Sequence, residues 1–253
     1  MVSRAEAILA AKLELDFRAA ERVFPGAAVR RFGPVIATRL PALADAVPYN
    51  RARGYGAEGG PDSDDLVSFY GETGQRPAVE VWAEHASEDL HRALSAEGLI
   101  PSPSTVALHL DLGGRADEPV PGVATAEVER DDPRYLDTLL GGYGVGPDAR
   151  DLRRMWVIEH ETAGLRRYLV TVDGEPAAAA GLFIRDGASI LAGAATLPRF
   201  RGRGCQTALI TRRVADATAD SDLVVVTAAL GSSSHANLLR LGFQLTHTRT
   251  TWR

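Results

Sequence analysis

The segment Leu197-Pro198-Arg199-Phe200-Arg201-Gly202-Arg203-Gly204-Cys205-Gln206-Thr207-Ala208-Leu209 constrains the fold more than any other. It carries the end of an apolar strand, Ser189 to Leu197, into a helix read from Gln206 to Ala219. Glycine lets the backbone turn tightly and approach a ligand closely. The first N–H groups of a helix have no internal partners, and with the helix dipole they suit an anion such as a pyrophosphate. Arg199, Arg201 and Arg203 add positive charge at the same place. An ordinary turn with solvated arginines is the plain alternative. It does not require the elements downstream: a helix, a strand, a second helix and a Gly-Phe pair before a last strand. That order favours an anion site built on an α/β fold.

The rest of the chain supplies matching elements. Ser3 to Phe24 reads as an amphipathic helix stopped by Pro25-Gly26, and Val35 to Leu40 as a strand. Ser63 to Tyr70 reads as a helix capped by Ser63, and Ser87 to Gly98 as another capped by Ser87. Thr105 to Leu112 alternates, with Val106, Leu108, Leu110 and Leu112 on one face. Asp173-Gly174 and Asp186-Gly187 read as hairpin turns between strands, and Asp148 to His160 as a helix. Both halves run strands, a glycine turn, a helix, a strand, a helix ending in Gly and a final strand. Val81 and Val225 are 144 residues apart, as are Gly98 and Gly242. The turns Arg53-Gly54-Tyr55-Gly56 and Arg201-Gly202-Arg203-Gly204 are 148 apart. Two copies of one α/β domain explain this order. The stretch Gly113 to Gly122 reads as a linker, giving domains 1–116 and 117–253.

The 253 residues are 45% hydrophobic and 24% charged, an ordinary globular composition. A net charge of −5 gives no general pull toward nucleic acid or anionic membrane. No apolar run reaches the ~18 residues of a membrane span. The single cysteine excludes an internal disulfide framework, and the histidines show no metal-ligand spacing. The expectation is a cytoplasmic protein without a metal.

Arg201-Gly202-Arg203-Gly204-Cys205-Gln206 resembles the acyl-CoA-binding loop of the GNAT acyltransferase superfamily, written Q/R-x-x-G-x-G/A. Leu241-Gly242-Phe243 resembles the element before that superfamily's last strand, and Asp173 to Gly181 its turn and strand entering the central sheet. The resemblance covers about Val123 to Arg253, and the first half matches only in element order. It implies a tandem pair of GNAT-like α/β (α+β) domains, each a mixed sheet flanked by helices, the first degenerate. It implies acetyl-CoA as co-substrate and a small-molecule primary amine as acceptor. Ala194, Ala195 and Thr196 would splay from the neighbouring strand and pair with the pantetheine arm, one N–H polarising the thioester carbonyl. N–H groups of Gly202, Arg203, Gly204, Cys205, Gln206 and Thr207, with Arg201, would hold the pyrophosphate.

Two departures stand out. Gln206 occupies the motif's last Gly/Ala position, and Leu238 the place of the tyrosine that protonates the leaving thiolate. Ser234 matches a serine sometimes found there, with a helix N-cap as its structural alternative. His235 is a second candidate, and Asn237 a candidate cofactor contact. Glu159, in Glu159-His160-Glu161, is a candidate general base, against a solvated helix end. Tyr143, Met155 and Trp156 are candidates for an acceptor pocket, against plain core. Cys205 comes directly after the glycine loop at a helix N-terminus, where a thiol pKa can fall, and its alternative is inward packing. In the first half, Glu58, Asp62, Asp64 and Asp65 beside the glycine turn would repel a pyrophosphate, so this half is expected not to bind CoA and to help wall the cleft. Two other readings keep the fold. A longer acyl-CoA or an aminoacyl-tRNA would replace the donor, the tRNA needing a basic face from Arg199, Arg201, Arg203, Arg212, Arg213 and Arg240. A non-catalytic CoA-binding protein would need no acid at all.

Overall fold

The computed structural model describes residues 1–58, 60–111 and 120–253. In chain order the elements are α1 (Val2–Ala20), β1 (Ala28–Phe32), β2 (Val35–Arg39), β3 (Arg51–Arg53), α2 (Ser63–Gly71), β4 (Val79–Trp82), α3 (Glu88–Ala96) and β5 (Thr105–Asp111). They continue as β6 (Val123–Val128), α4 (Pro133–Tyr143), α5 (Arg150–Glu161), β7 (Leu165–Val172), β8 (Glu175–Arg185), β9 (Ala188–Thr196), α6 (Cys205–Ala217), β10 (Leu223–Ala229), α7 (Ser233–Arg240) and β11 (Gln244–Trp252). Among the described residues, no helix is long and apolar enough to cross a membrane.

The chain forms two compact units that interleave in sequence. One comprises residues 1, 3–12 and 109–226, the other residues 2, 13–108 and 227–253. The expected boundary at 116/117, and most of the expected linker, lie outside the described residues. The units nevertheless differ from two consecutive halves, and strand pairing is the reason. The last strand, β11, pairs antiparallel with β4, Arg249 opposite Trp82 and Trp252 opposite Val79. The last strand therefore belongs with residues 13–108, whereas residues 3–12 of α1 belong with 109–226.

In the 13–108 unit the strand order is β1-β2-β3-β4-β11-β5. β1, β2 and β3 pair antiparallel, and β3 and β4 are parallel. Parallel neighbours need a crossover, which α2 provides. Phe69 and Leu94, on α2 and α3, pack with Ala37, Ala52, Val81 and Trp252 of the sheet. The N-cap of α2 is Asp62, whose side chain accepts from the Asp65 N–H, so Ser63 is the first helical residue and not the cap. Ser87 caps α3 as expected, accepting from the Leu90 N–H. In β5, Ala107 and His109 are buried along with Val106, Leu108 and Leu110, so both faces are covered despite the alternating sequence.

In the 109–226 unit the order is β6-β7-β8-β9-β10. The first four strands pair antiparallel in succession, and β9 and β10 are parallel, joined by α6. Both units thus pass from a strand through a glycine turn and a helix to a parallel neighbour. The turns Asp173-Gly174 and Asp186-Gly187 have positive φ at both residues, which is how an Asp-Gly pair closes a tight hairpin. Helix α4 is an addition to the elements expected from sequence. Its signals are present: Asp132 caps it, Pro133 stands at the first position, and Leu136, Leu139 and Leu140 repeat at helical spacing. α4 lays Tyr135 and Leu139 onto Ala179 of β8 and Ala195 of β9.

Candidate active site

Strand β9 is the backbone of the site. Its ladder with β10 runs only from Ala188/Leu223 to Ile190/Val225, and β9 continues to Thr196. On its other side β9 pairs with β8, with a bulge at Gly193: Ala180 faces Ala194 and Gly181 faces Ala192. A bulge bends the strand and re-aims the groups beyond it. Gly193 has φ +34, and a Cβ there would come within 2.9 Å of His160 Cε1. The bulge is held from below by Arg213 of α6, which is 1% exposed. Its guanidinium donates to Gly181 O at 2.8 Å and to Ala192 O at 3.4 Å, and Nε donates to Leu209 O at 2.8 Å. Burial lowers its pKa to about 10. Arg213 is therefore not part of a basic face, which corrects its place among the candidate tRNA contacts.

The end of α4 touches β9 through two glycines. A Cβ on Gly142 would lie 2.6 Å from the Ala195 Cβ, and one on Gly141 2.9 Å from Leu197 Cδ2. This contact carries the next residue, Tyr143, to β9, where its hydroxyl accepts the Ala194 N–H at 3.1 Å. The Tyr143 ring sits 4.7 Å from Trp156, which stacks on His160 at 5.6 Å. Met155 is fully buried and belongs to the core, whereas Tyr143 is 49% exposed.

His160 is not at a solvated helix end; it is 6% exposed. Its Nδ1 lies 2.7 Å from the Tyr135 hydroxyl, and its carbonyl accepts from Arg167. Burial, with smaller contributions from Lys12 and Arg167, lowers its pKa to about 3. In an unfolded chain a histidine titrates at ~6.5. The unfolded state then binds more protons between these values, so stability falls as pH drops from about 6.5 toward 3, by up to about 1.4 kcal/mol per pH unit. His160→Gln is expected to flatten that slope. Urea unfolding midpoints at pH 7 and pH 5 test it, and equal shifts in both proteins would refute the assignment. Beside it, Glu159 is partly exposed, and its carbonyl accepts from Lys12 Nζ at 3.1 Å.

Beyond Thr196 the chain makes one 3-10 turn, Pro198–Phe200, and enters α6. Gly202 and Gly204 both have left-handed backbones, φ +77 and +81, and Gly204 is the N-cap of α6. The motif that the loop resembles also fits two residues nearer the N-terminus: written Arg199-Phe200-Arg201-Gly202-Arg203-Gly204, its two glycines coincide with the two positive-φ positions. Gln206 lies inside the first turn of α6. The loop arginines have partners: Arg199 pairs with Glu175 at 3.1 Å and Arg203 with Asp173 at 3.0 Å. Arg201 donates to Gly142 O at 3.1 Å and Thr196 O at 3.3 Å, tying the loop to α4 and β9. The Arg199 and Arg203 pairs are exposed, and such pairs are worth at most about 1 kcal/mol, so an incoming anion can displace them. Cys205 is buried with Sγ 3.8 Å from Phe200 O, and burial raises its pKa, so it is a packed thiol.

Glu159 and residues 194–207 lie in the 109–226 unit, whereas Ser234, His235 and Asn237 lie on α7 in the other. There Ser232 caps the helix by accepting the His235 N–H, so Ser234 is not the cap. His235 Nδ1 accepts the Gly231 N–H at 3.2 Å, and Leu238 is buried. The first-half turn is filled by its own unit. A Cβ on Gly54 would meet Trp82 at 3.0 Å and one on Gly56 would meet Leu90 at 2.7 Å; in the other turn one on Gly202 meets nothing within 4 Å and one on Gly204 would meet Val120 Cγ1 at 2.7 Å.

No protein-family model matches the sequence, and no curated protein does. Solved structures match the fold across the chain. A GCN5-related N-acetyltransferase from Kribbella flavida is 19% identical, with a TM-score of 0.66 over 98% of this chain and 94% of that one. A functionally unknown conserved protein from Staphylococcus epidermidis is 12% identical, with a TM-score of 0.63 over 92% and 95%. A tandem GNAT protein from the clavulanic acid biosynthesis pathway is 15% identical, with a TM-score of 0.55 over 95% and 92%. At these identities the likeness is one of fold: the chain has the fold of the GCN5-related N-acetyltransferases.

Proposed function

We propose that this GNAT-fold chain is an N-acyltransferase that uses an acyl-CoA, acetyl-CoA first, to acylate a primary amine of a small molecule. The observation that carries the reading is the path of β9. It leaves the β10 ladder after Ile190 and leads through the two left-handed glycines into the N-terminus of a 13-residue helix. A strand edge released from its neighbour suits an extended amide-bearing arm, which adds like a strand. The opening N–H groups of α6, at Cys205, Gln206 and Thr207, suit a pyrophosphate. The residues present therefore fit the donor. When bound, an acyl-CoA supplies an activated thioester, whose acyl group passes to the attacking nitrogen as the thiol leaves.

The chain's own part is positional. β9 and α6 hold two ends of one ligand, and the rigid bulge under Arg213 fixes the angle between them. Holding reactants in place supplies much of the acceleration such a direct transfer needs. Glu159 in the 109–226 unit and Ser234 and His235 on α7 are each candidates for moving the amine or thiol proton, and Asn237 is a candidate cofactor contact. Alanine variants of each test these roles once an accepting amine is known. The turn of the 13–108 unit, with Trp82 against Gly54 and the acids Glu58, Asp62, Asp64 and Asp65 beside it, supports a single donor site per chain.

Calorimetric titration with acetyl-CoA, free CoA and a longer acyl-CoA tests the reading. Binding at one site per chain is expected, followed by thiol release in an amine screen. Absence of binding by all three would overturn the donor assignment and leave only the fold.

A further inference from the structure

We infer that Tyr143 is the acyl-recognition residue of the donor site: its hydroxyl, which accepts the Ala194 N–H, donates its own proton to the thioester carbonyl. The inference rests on the acyl-CoA reading above and deepens it.

Ala194 is the first residue after the Gly193 bulge, on the part of β9 that has no ladder with β10. Its N–H donates to the Tyr143 hydroxyl at 3.1 Å in an exposed contact. A hydroxyl that accepts one hydrogen bond still has its own proton to give. The contact is therefore a relay at the open edge of the strand: the amide donates to the phenol oxygen, and the phenol O–H is the group left to donate. A hydroxyl that accepts one hydrogen bond is polarised into a stronger donor. A donor held at that place is what an acyl group needs as its oxygen gains charge during transfer.

Packing fixes the position of the phenol. Gly141 and Gly142 let the end of α4 sit against β9, and Gly144 in the left-handed conformation caps the helix immediately beyond Tyr143. The ring leans on Trp156, which is stacked on the buried His160. The phenol is thus preorganised, yet the residue as a whole is 49% exposed. Desolvation around the hydroxyl raises its pKa above the ordinary tyrosine value. Leu238 offers no hydroxyl at the place the family resemblance would have put one.

The consequence is a preference for acylated over free CoA that depends on one oxygen atom. Tyr143→Phe keeps the ring against Trp156 and removes only the hydroxyl. It is expected to weaken acetyl-CoA binding about five- to tenfold, the worth of one hydrogen bond, and to leave free CoA binding unchanged. Infrared spectra of carbonyl-13C-acetyl-CoA give a second readout. The thioester band should move to lower frequency on binding the native protein and move less on binding the variant. Equal effects on both ligands, or tighter acetyl-CoA binding by the variant, would overturn the inference. The latter would mean that the hydroxyl blocks Ala194 instead of assisting it. Failure of the native protein to bind either ligand would instead overturn the acyl-CoA reading, and this inference with it.

Discussion

Gly204→Val is expected to weaken acetyl-CoA binding by about 100-fold or more. Gly204 has φ +81 and caps α6. A β-branched residue is a steric outlier there, and the left-handed backbone costs an ordinary residue about 1–2 kcal/mol before branching is counted. A Cβ would also come within 2.7 Å of Val120 Cγ1, but that is a methyl on a side chain and can yield. The backbone cannot, so the loop must refold. The N–H groups opening α6 then lose their common aim. Losing two charge-assisted hydrogen bonds at about 1.5–3 kcal/mol each accounts for the expected loss. Gly202→Ala separates strain from contact, because its Cβ meets nothing within 4 Å while φ is +77. It should cost about tenfold. Calorimetry on variants that melt like the native protein decides the matter, and undiminished binding by both would mean the anion site is elsewhere.

Gly142→Val sets a local preference against a tertiary contact. Within a helix, glycine is about 1 kcal/mol less favourable than alanine, so α4 alone would gain from most replacements. The fold opposes this. A Cβ at Gly142 would stand 2.6 Å from the Ala195 Cβ and 3.1 Å from the backbone of Ala195 and Thr196. Neither can move without bending β9 at the site. Overpacking typically costs about 1–3 kcal/mol, more where the obstacle is backbone, so a net loss of about 2–3 kcal/mol is expected. Gly141→Ala is the companion, since its Cβ would meet only the flexible end of Leu197, at 2.9 Å. It should be close to neutral. Urea unfolding of both variants measures the difference, and a stabilised Gly142→Val would show that α4 does not rest on β9 as described. A folded Gly142→Val should also separate Tyr143 from Ala194.

Much of the fold is readable because its signals are local. Asp173-Gly174 and Asp186-Gly187 announce hairpins through the two residues best suited to positive φ. Ser87 marks a helix start three residues before the N–H it accepts. The strand, glycine turn and helix around Gly202 and Gly204 stand in the sequence in that order, and the proposed anion site rests on the geometry of that helix start. Where sequence reasoning stops short, the missing information is not local. Ser63 and Asp62 are both good caps, and only the backbone shows which side chain turns back. The loop motif fits the sequence in two registers, and only the backbone shows that Gly202 and Gly204 are both left-handed.

The sequence by itself determined the element types, the α/β class and the place of the glycine loop, since periodicity, caps and turn residues act within a few positions of each other. Tertiary structure alone decided that β11 pairs with β4, that Arg213 and His160 are buried, and that Tyr143 reaches Ala194. Each of these depends on groups tens to hundreds of residues apart in the chain. Buried charge and close glycine contacts are settled by what packs against them, and no local pattern records the partner.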